Sequence, residues 1–390
     1  MRVLMVGNCW NTAGGGGLDR YLVDLADSLA GAGVSPTVLV NEVGAHPEPY
    51  VQGFGRPNAS LPARWLAARR TAQPYFRSGS VSLANFHFAP YAFPLLSLIP
   101  REVPVVTHFH GPWADESQVE EVTQLRSALK FRMRRFIERK VYDRSHRFIT
   151  LSGAFRELLH RDYGVPLERI MVIPGAVDTR RFRPLIHRAE ARQRLGWPAD
   201  RPVLLSVRRL VRRMGLENLI DAMDLVRRRC PDALLLIGGK GPLEGALRQR
   251  IAERNLDKHV QLIGFLPNEE LPVAYRAANL SVVPTVALEG FGLILAESLA
   301  CGTPCLGTPV GGIPEVLAPL DRNLLFESAE PRALADRIVA VLNGRVPVPT
   351  DQACRAFALE RFSWAAVTDA VLRVFHETQG GLGSAARAVP

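Results

Sequence analysis

Short apolar runs alternate with amphipathic stretches along most of the chain. In the first half, the sequence predicts β-strands at residues 2–7, 37–40, 81–87, 104–110 and 146–152. Between Leu18 and Ala30, apolar side chains recur every three to four residues, which predicts a helix directly after the first strand. Strands that alternate with helices are typical of a parallel sheet covered by helices.

The same alternation restarts in the second half, after a turn-rich connection. Strands are predicted at residues 202–207, 233–238, 260–265, 280–285 and 303–308, and helices near 215–229, 242–254 and 293–300. Because 390 residues exceed one ordinary hydrophobic core, we predict an α/β chain of two Rossmann-like, doubly wound domains. Ligands are expected at the carboxyl ends of the strands, in a cleft between the halves.

Composition adds a basic charge without a nucleic-acid signature. The formal net charge is +10, and the basic residues are nearly all arginine, spread through both halves. This charge favours anionic partners such as nucleotide sugars, phosphorylated acceptors or acidic lipids. Nucleic acid is disfavoured because zinc-finger spacing and RNA-binding signatures are missing. The apolar stretch of residues 86–106 is broken by prolines and charges, so we expect a cytoplasmic protein.

The most informative segment is ALEGFGLILAESLACGTPCLGTPVGGIPEVL, residues 287–317. Glu289 lies in a glycine-flanked loop, and Glu297 follows after seven intervening residues, inside the helix that begins near Gly292. The start of that helix presents free amides to a diphosphate or to sugar hydroxyls. Two glutamates at this spacing also arise by chance, and the spacing alone indicates only a nucleotide or phosphate site.

This E-x7-E pair, with GFGL inside it and ACGTP after it, resembles the donor-binding signature of the retaining glycosyltransferases of family 4, which have the GT-B fold. Further motifs of that family occur in order across about residues 2–365: THFHG, ITLS, VIPGAVD, SVRRLVRRMG, LIGGKGP, IGFLPNEEL and YRAANLSVVPT. The resemblance implies transfer of a hexose-type sugar from a nucleoside-diphosphate sugar to an acceptor hydroxyl, with retention. It also implies that the reaction needs no metal and no further cofactor. It favours UDP over GDP or ADP as the nucleotide of the donor sugar.

The resemblance assigns roles to individual residues around the glutamate pair. Glu289 would contact the sugar hydroxyls and stabilise positive charge at the anomeric carbon, and Glu297 would bind the ribose. The backbone around Phe265 would contact the base. Amide contacts to the sugar and diphosphate fall to Phe291, Gly292 and Leu293.

The leaving diphosphate gains negative charge and needs cations. Arg209, in SVRRLVRRMG, matches the diphosphate-binding arginine of the family, whereas the family's lysine five residues later is replaced here by Met214. Either Arg212 or Arg213 takes over the missing charge, and we favour Arg213, or the second cation is absent. A solvated face remains the alternative interpretation for Arg208 and Arg212.

In the first half, NTAGGGGLDR at residues 11–20 places four glycines between the first strand and its helix. By resemblance, Gly16 and Gly17 meet the donor phosphates, whereas a bland flexible turn is the alternative. His108 and His110 end the fourth strand. The resemblance identifies His110 as the active-site histidine that faces the sugar ring, and His108 as a core or supporting group.

Residues 124–144 form a predicted basic amphipathic helix with two open interpretations. It either packs on its own domain or contacts an anionic membrane that carries a lipid acceptor, at the inner face of the membrane. The acceptor and the oligomeric state are not encoded in any recognisable motif. Three alternatives to a transferase stay open: a nucleotide-sugar epimerase, a sugar phosphorylase, and a donor-binding protein without turnover, which the methionine at position 214 suggests.

The predicted division of the chain combines the turn-rich connection with the resemblance. Its five parts are an N-terminal acceptor-side domain at 1–180, a linker at 181–198, a donor domain at 199–365, a helix returning to the N-terminal domain at 366–379, and a disordered tail at 380–390.

Overall fold

The fold is described from a computed structural model, which describes residues 1–10, 16–44, 47–56, 59–120 and 124–386. The chain divides into two compact units. The first comprises Met1–Gly175 and Trp364–Pro390, and the second comprises Ala176–Ser363.

The first unit is built on a parallel sheet of seven strands, in the order β5-β3-β1-β6-β7-β8-β9. A separate pair, β2 and β4, lies beside it. The strands are β1 (Arg2–Val6), β2 (Cys9–Trp10), β3 (Ser35–Val40), β4 (Glu42–Val43), β5 (Val51–Gly53), β6 (Leu83–Phe86), β7 (Val105–Phe109), β8 (Arg147–Thr150) and β9 (Ile170–Val172). The five strands predicted for this half are confirmed.

Helices connect these strands. They are α1 (Gly17–Gly31), α2 (Leu61–Arg77), α3 (Ala89–Ala92), α4 (Trp113–Glu120), α5 (Gln124–Arg144) and α6 (Gly153–Tyr163), with 3₁₀ turns at Phe93–Leu95 and Leu167–Arg169. Helix α5 has the predicted bounds. It buries Ile137 and Val141 against its own unit, so the packing interpretation is confirmed for that face.

The second unit has a parallel sheet of five strands, in the order β12-β11-β10-β13-β14. They are β10 (Val203–Val207), β11 (Leu234–Gly238), β12 (Val260–Gly264), β13 (Leu280–Val283) and β14 (Cys305–Gly307). All five were predicted. Strands β11, β13 and β14 are buried along their whole length, because both faces of a parallel sheet are covered and successive side chains are buried whichever way they point. The edge strand β12 differs, since only Val260 is buried there. Four successive residues from Val203 are accordingly less than 2% exposed.

Helices cover this second sheet. They are α7 (Arg188–Leu195), α8 (Leu216–Arg227), α9 (Glu244–Glu253), α10 (Leu271–Ala277), α11 (Leu293–Ala300), α12 (Ile313–Leu317), α13 (Pro331–Leu342) and α14 (Asp351–Phe362), with 3₁₀ turns at Arg212–Met214 and Arg322–Leu324. The chain then re-enters the first unit as α15 (Trp364–Ala386), which packs on α1.

The predicted linker needs correction. Residues 181–198 include helix α7, which packs on α10 through Ala191, and they belong to the second unit. Arg192 holds this segment in place, since its buried guanidinium donates to four backbone carbonyls and to Asn279 Oδ1. The polar, arginine-rich composition of residues 181–198 was typical of a linker, because the hydrogen-bond acceptors of these arginines come together only in the folded unit.

The predicted tail also differs. Disorder was expected from residue 380, but α15 continues to Ala386, and residues 387–390 lie outside the described part. Buried Thr378 and the hydrogen bond from Gln379 Nε2 to Ser82 O, 3.1 Å long, fix the preceding turns to the first unit. Helix formation then propagates through the glycines because each added residue closes one more backbone bond. Among the described helices, no segment has the length and apolar character required of a membrane span.

Candidate functional site

The second sheet has a topological switch point between β10 and β13. The chain runs from β10 outward to β11 and β12, and then returns to the other side of β10 as β13. Loops diverge at such a point, and ligands of open parallel sheets bind there. Arg208 follows β10 directly, and Thr285 and Glu289 follow β13, so their side chains meet at this edge.

Arg208 and Glu289 form a buried ion pair at the switch point. The guanidinium Nη2 of Arg208 lies 2.5 Å from Glu289 Oε2, and the two side chains are 5% and 13% exposed. The same nitrogen donates to Thr285 Oγ1 at 2.6 Å and contacts Met214 Sδ at 2.7 Å. Within the described chain, Glu289 Oε1 and Arg208 Nη1 make no hydrogen bond, and Arg208 Nε is buried without a partner.

The pair keeps Glu289 ionised. Burial by itself raises the pKa of this carboxyl, but the charge and hydrogen bond of Arg208, followed by the charge of Arg213, outweigh it and bring the pKa below its usual value. A buried carboxylate with a free oxygen can accept hydrogen bonds from a polyol and can stabilise nearby positive charge.

Two glycines allow neighbouring loops to approach the backbone of the site residues closely. A Cβ at Gly311 would lie 2.0 Å from the carbonyl oxygen of Glu289, and a Cβ at Gly239 would lie 1.8 Å from that of Arg208. Both glycines have positive φ, as does Leu288, the residue before the site carboxylate (φ 54°). The GGKGP and VGGIP motifs are therefore glycine-rich because neighbouring loops press directly on the backbone of the ion pair.

The arginines of SVRRLVRRMG point in different directions. Arg208 is buried, so the solvated-face interpretation is wrong for it, whereas Arg209 and Arg212 are exposed. Arg213 is 5% exposed and donates from Nη1 to Leu288 O at 2.9 Å. Arg208 contacts the sulfur of Met214. The sequence had not indicated Arg208 as a residue of the site.

Glu297 lies in the second turn of α11. It is 4% exposed, and Tyr275 Oη donates to its Oε2 at 2.9 Å. Gly292, with φ 76°, is the N-cap of α11, and the amides of Leu293 and its neighbours point out of the helix end. Phe291 packs edge-on against Phe362, which leaves only its backbone for a ligand.

Phe265 follows β12 at the same edge of the sheet. Its ring is 39% exposed, and Lys240 Nζ lies 5.3 Å from the ring centroid. An exposed aromatic ring beside a cation suits a flat, polar heterocycle, because the ring stacks and the ammonium faces its acceptors. The prediction that this position contacts a base remains a prediction.

The first unit carries a second cluster at its own switch point, between β1 and β6. Most of the glycine loop, residues 11–15, lies outside the described residues. Gly16 is the N-cap of α1, with extended backbone, and Gly17 is the first residue of that helix. Free amides at the start of a 15-residue helix suit an anion, which agrees with the predicted role without testing it.

Three histidine rings stack at the ends of β6 and β7. The ring of His87 lies 4.4 Å from that of His108 and 5.3 Å from that of His110, at interplanar angles of 12° and 25°. Burial lowers the pKa of His110 to about 3 and, together with the neighbouring histidines, lowers the pKa of the other two well below their usual value. All three rings are therefore neutral near pH 7.

Three residues of the two clusters, Asn85, His87 and Arg208, had no signal in the sequence strong enough to single them out. Asn85 and His87 lie in the run VSLANFH, where they read as the polar end of a strand. Arg208 was one of four similar arginines. Only the fold shows that Asn85 is completely buried and that His87 lies within hydrogen-bonding distance of His110.

Two family models together match most of the chain. The model described as Glycosyltransferase Family 4 matches residues 15–181, and the model described as Glycosyl transferases group 1 matches residues 187–361. The two matches fall on the two halves in which the two clusters lie.

Two curated relatives are named for a phosphatidylinositol monomannoside and for inositol 3-phosphate. The GDP-mannose-dependent alpha-(1-6)-phosphatidylinositol monomannoside mannosyltransferase of Mycolicibacterium smegmatis is 32% identical over 200 residues, which cover 49% of this chain and 52% of the relative. The chain thus spans about half the length of that relative. The D-inositol 3-phosphate glycosyltransferase of Pseudarthrobacter chlorophenolicus is 27% identical over 389 residues, 93% of this chain and 90% of the relative.

Solved structures extend the likeness to nearly the whole chain. A sucrose-phosphate synthase from Thermosynechococcus elongatus has a TM-score of 0.82 at 23% identity, covering 97% of this chain and 99% of the other. HepE from Anabaena, in complex with UDP and glucose, has a TM-score of 0.77 at 20% identity, covering 97% and 100%. At these identities the likeness concerns the fold, and it confirms the GT-B fold of two Rossmann-like domains.

Proposed function

The chain belongs to the glycosyltransferases of family 4, and from this premise we propose that it transfers a hexose-type sugar from a nucleoside diphosphate to an acceptor hydroxyl, with retention at the anomeric carbon. The observation that carries the proposal is the buried Arg208–Glu289 pair at the switch point of the second sheet. It provides a fixed anion for sugar hydroxyls and a fixed cation beside it, at the position where ligands of such sheets bind.

The proposed donor site combines these groups with the start of α11. Glu289 contacts the sugar and stabilises developing positive charge at the anomeric carbon. Arg209, with Arg208 next to it in sequence, balances the negative charge that the leaving diphosphate gains. The amides at Gly292 and Leu293 contact the phosphates, and Glu297 accepts from the ribose diol. Preorganised charge is the physical basis of rate enhancement in such a site.

In the first unit, we propose that His110 faces the sugar ring. Because its pKa lies near 3, the ring is neutral at physiological pH and hydrogen-bonds without adding positive charge where the anomeric carbon is becoming cationic. No covalent nucleophile enters the proposal. Attack by the acceptor on the face that the diphosphate leaves, assisted by the leaving phosphate itself, agrees with retention.

Two observations favour different bases for the donor nucleotide. Family frequency favours UDP, whereas the mannosyltransferase relative is named as GDP-mannose-dependent. We expect one of UDP, GDP, ADP and TDP to raise the melting temperature of the full chain. A ligand at about 100 times its Kd contributes roughly 2.7 kcal/mol, or about 5 °C or more for a unit of this size. A thermal-shift panel measures this.

Matched variants test where the nucleotide binds. Glu297→Ala and Glu297→Gln both remove the carboxylate, and the glutamine retains volume and an acceptor for Tyr275, so it controls for folding. The stabilising diphosphate should lose its effect in both. No shift with any nucleotide in the wild-type chain would contradict the proposed donor site. A shift without any sugar transfer or slow donor hydrolysis would favour a donor-binding protein instead.

We also propose that helix α5 contacts an anionic membrane surface. Its exposed face carries a stripe of apolar side chains, Leu129, Met133 and Phe136, which are 75%, 46% and 53% exposed. Exposed Arg132, Arg139 and Lys140 flank the stripe. Apolar side chains beside basic ones are typical of helices that lie in the head-group region.

Co-sedimentation with anionic phospholipid vesicles at low salt tests this proposal. Met133→Glu with Phe136→Glu should lower the partition coefficient by about tenfold or more, because two apolar side chains are lost from the contact and two negative charges are added. Leu185→Glu, at a 53% exposed leucine of the second unit, is the matched control and should leave binding unchanged. If wild-type protein stays in the supernatant, the helix does not bind membranes.

A further inference from the structure

The histidine cluster of the first unit is joined by a continuous chain of hydrogen bonds. Asn85 Oδ1 lies 2.7 Å from His87 Nε2, and His87 Nδ1 lies 3.0 Å from His110 Nε2. Asn85 Nδ2 lies 3.0 Å from both Val106 O and His108 Nδ1. Each link has one donor and one acceptor, so the protonation of one ring constrains the next.

The orientation of the Asn85 amide follows from its backbone partner. A carbonyl oxygen can only accept, so the amide atom that faces Val106 O is the NH₂ group. The other amide atom is then the oxygen, and it faces His87 Nε2. His87 must therefore carry its proton on Nε2, because an oxygen can only accept from it.

The neutral state of His87 extends the constraint to His110. Since burial and two neighbouring histidines keep the pKa of His87 well below its usual value, a ring with its proton on Nε2 has a bare nitrogen at Nδ1. That nitrogen accepts from His110 Nε2, which must carry the proton. Nδ1 of His110 is then unprotonated, and it makes no hydrogen bond to any described residue.

We propose that Asn85 and His87 are positioning residues that hold the proton of His110 on Nε2 and leave its Nδ1 as a hydrogen-bond acceptor. This rests on the proposed function only for the identity of the partner, a sugar hydroxyl that donates to Nδ1. With its proton held by His87, His110 does not protonate the leaving diphosphate. The ring instead accepts a hydrogen bond from a sugar hydroxyl. This increases the electron density on the hydroxyl oxygen, which favours a developing cation at the anomeric carbon.

A pair of nearly matched variants isolates the hydrogen bond from the stacking. In His87→Asn, the side-chain oxygen can take the position of imidazole Nδ1 and still accept from His110. In His87→Gln, the amide instead reaches the position of Nε2, toward Asn85, and leaves His110 without an acceptor. Both variants remove the same aromatic ring, so a purely structural role of His87 predicts equal effects in the two.

The tautomer of His110 is read directly from two-bond ¹⁵N–¹H spectra of the full chain with labelled histidine, near pH 7.5. His146 is an internal reference for the Nε2–H form, because the amide of Val105 donates to its Nδ1 at 3.0 Å. We expect His110 to show the same pattern as His146 in the wild type and in His87→Asn, and to shift toward Nδ1–H or a mixture in His87→Gln.

Catalysis provides the second measurement. We expect kcat for transfer, or for donor hydrolysis, to fall about tenfold in His87→Gln and clearly less in His87→Asn, with KM for the donor changed little in either. A wild-type His110 with its proton on Nδ1, or equal loss of kcat in both variants, overturns the proposal. The predicted tautomer in a chain that binds no nucleoside diphosphate would instead contradict the proposed function while the positioning role stands.

Discussion

Replacing Arg208 by methionine is expected to lower turnover by a factor on the order of 10³ and to destabilise the second unit by about 3 kcal/mol. The loss of turnover follows from removing a fixed cation next to the carboxylate proposed to bind the sugar, at a place where single preorganised groups contribute two to three orders of magnitude. The loss of stability follows from leaving Glu289, 13% exposed, as a buried carboxylate without its counter-ion. Steady-state kinetics and urea denaturation measure the two effects.

A double variant separates the two effects of this change. Arg208→Met with Glu289→Gln removes both charges, so most of the lost stability should return, because no unpaired charge stays buried. Turnover should stay lost, since both proposed functional groups are gone. If the single variant is as stable as the wild type, the ion pair contributes nothing in solution and the argument from its burial fails.

Neighbouring residues supply the controls. Arg209 is exposed, so Arg209→Ala should change the free energy of unfolding by less than about 0.5 kcal/mol. It should nevertheless abolish turnover, if Arg209 binds the diphosphate as the family resemblance implies. Met214→Ala should leave much of the turnover. Equal losses of turnover in Arg209→Ala and Met214→Ala would contradict the assignment of Arg209.

Acidification is expected to destabilise the first unit steeply below about pH 6.5. The folded state keeps His87, His108 and His110 neutral, whereas the unfolded chain protonates all three near pH 6.5. Below that pH the unfolded state binds more protons, so the free energy of unfolding falls as pH falls. Each group contributes up to about 1.4 kcal/mol per pH unit until its folded pKa is reached.

Glu138 acts with the opposite sign. Burial raises its pKa from 4.5 to about 7, so between these values the folded state binds one more proton and acidification stabilises. Among these four groups, three histidines against one carboxyl leave an excess of two protons in the unfolded state, about 2.7 kcal/mol per pH unit at most. His146, whose pKa burial also lowers, acts in the same direction as the three histidines. Denaturation curves between about pH 7 and pH 5 measure this slope.

Two variants should move that slope in opposite directions. His108→Asn keeps an acceptor for Asn85 but removes one titrating group, so the slope should flatten. Glu138→Gln removes the opposing group, so the slope should steepen by a similar amount. A wild-type stability that is constant across this range would mean that the histidines are not buried as neutral rings.

The sequence by itself determined most of the fold. The apolar runs from Arg2 to Gly307 predicted ten strands that the structure contains, because strands covered on both faces are apolar at most of their positions. The glutamates of the E-x7-E motif were correctly placed in a loop and in the following helix. The short strands β2, β4, β5 and β9 escaped prediction, since two or three residues carry too little pattern.

Only the tertiary structure decided which polar side chains act together. Arg208 and Arg209 are neighbours of the same type just beyond the end of a strand, yet one is buried against Glu289 and the other is exposed. Likewise, Asn85 and His87 join His110 because β6 and β7 are adjacent in the sheet. Periodicity reports which face of an element is buried, but the partner of a polar group comes from another strand, and strand order is set by how the whole sheet packs.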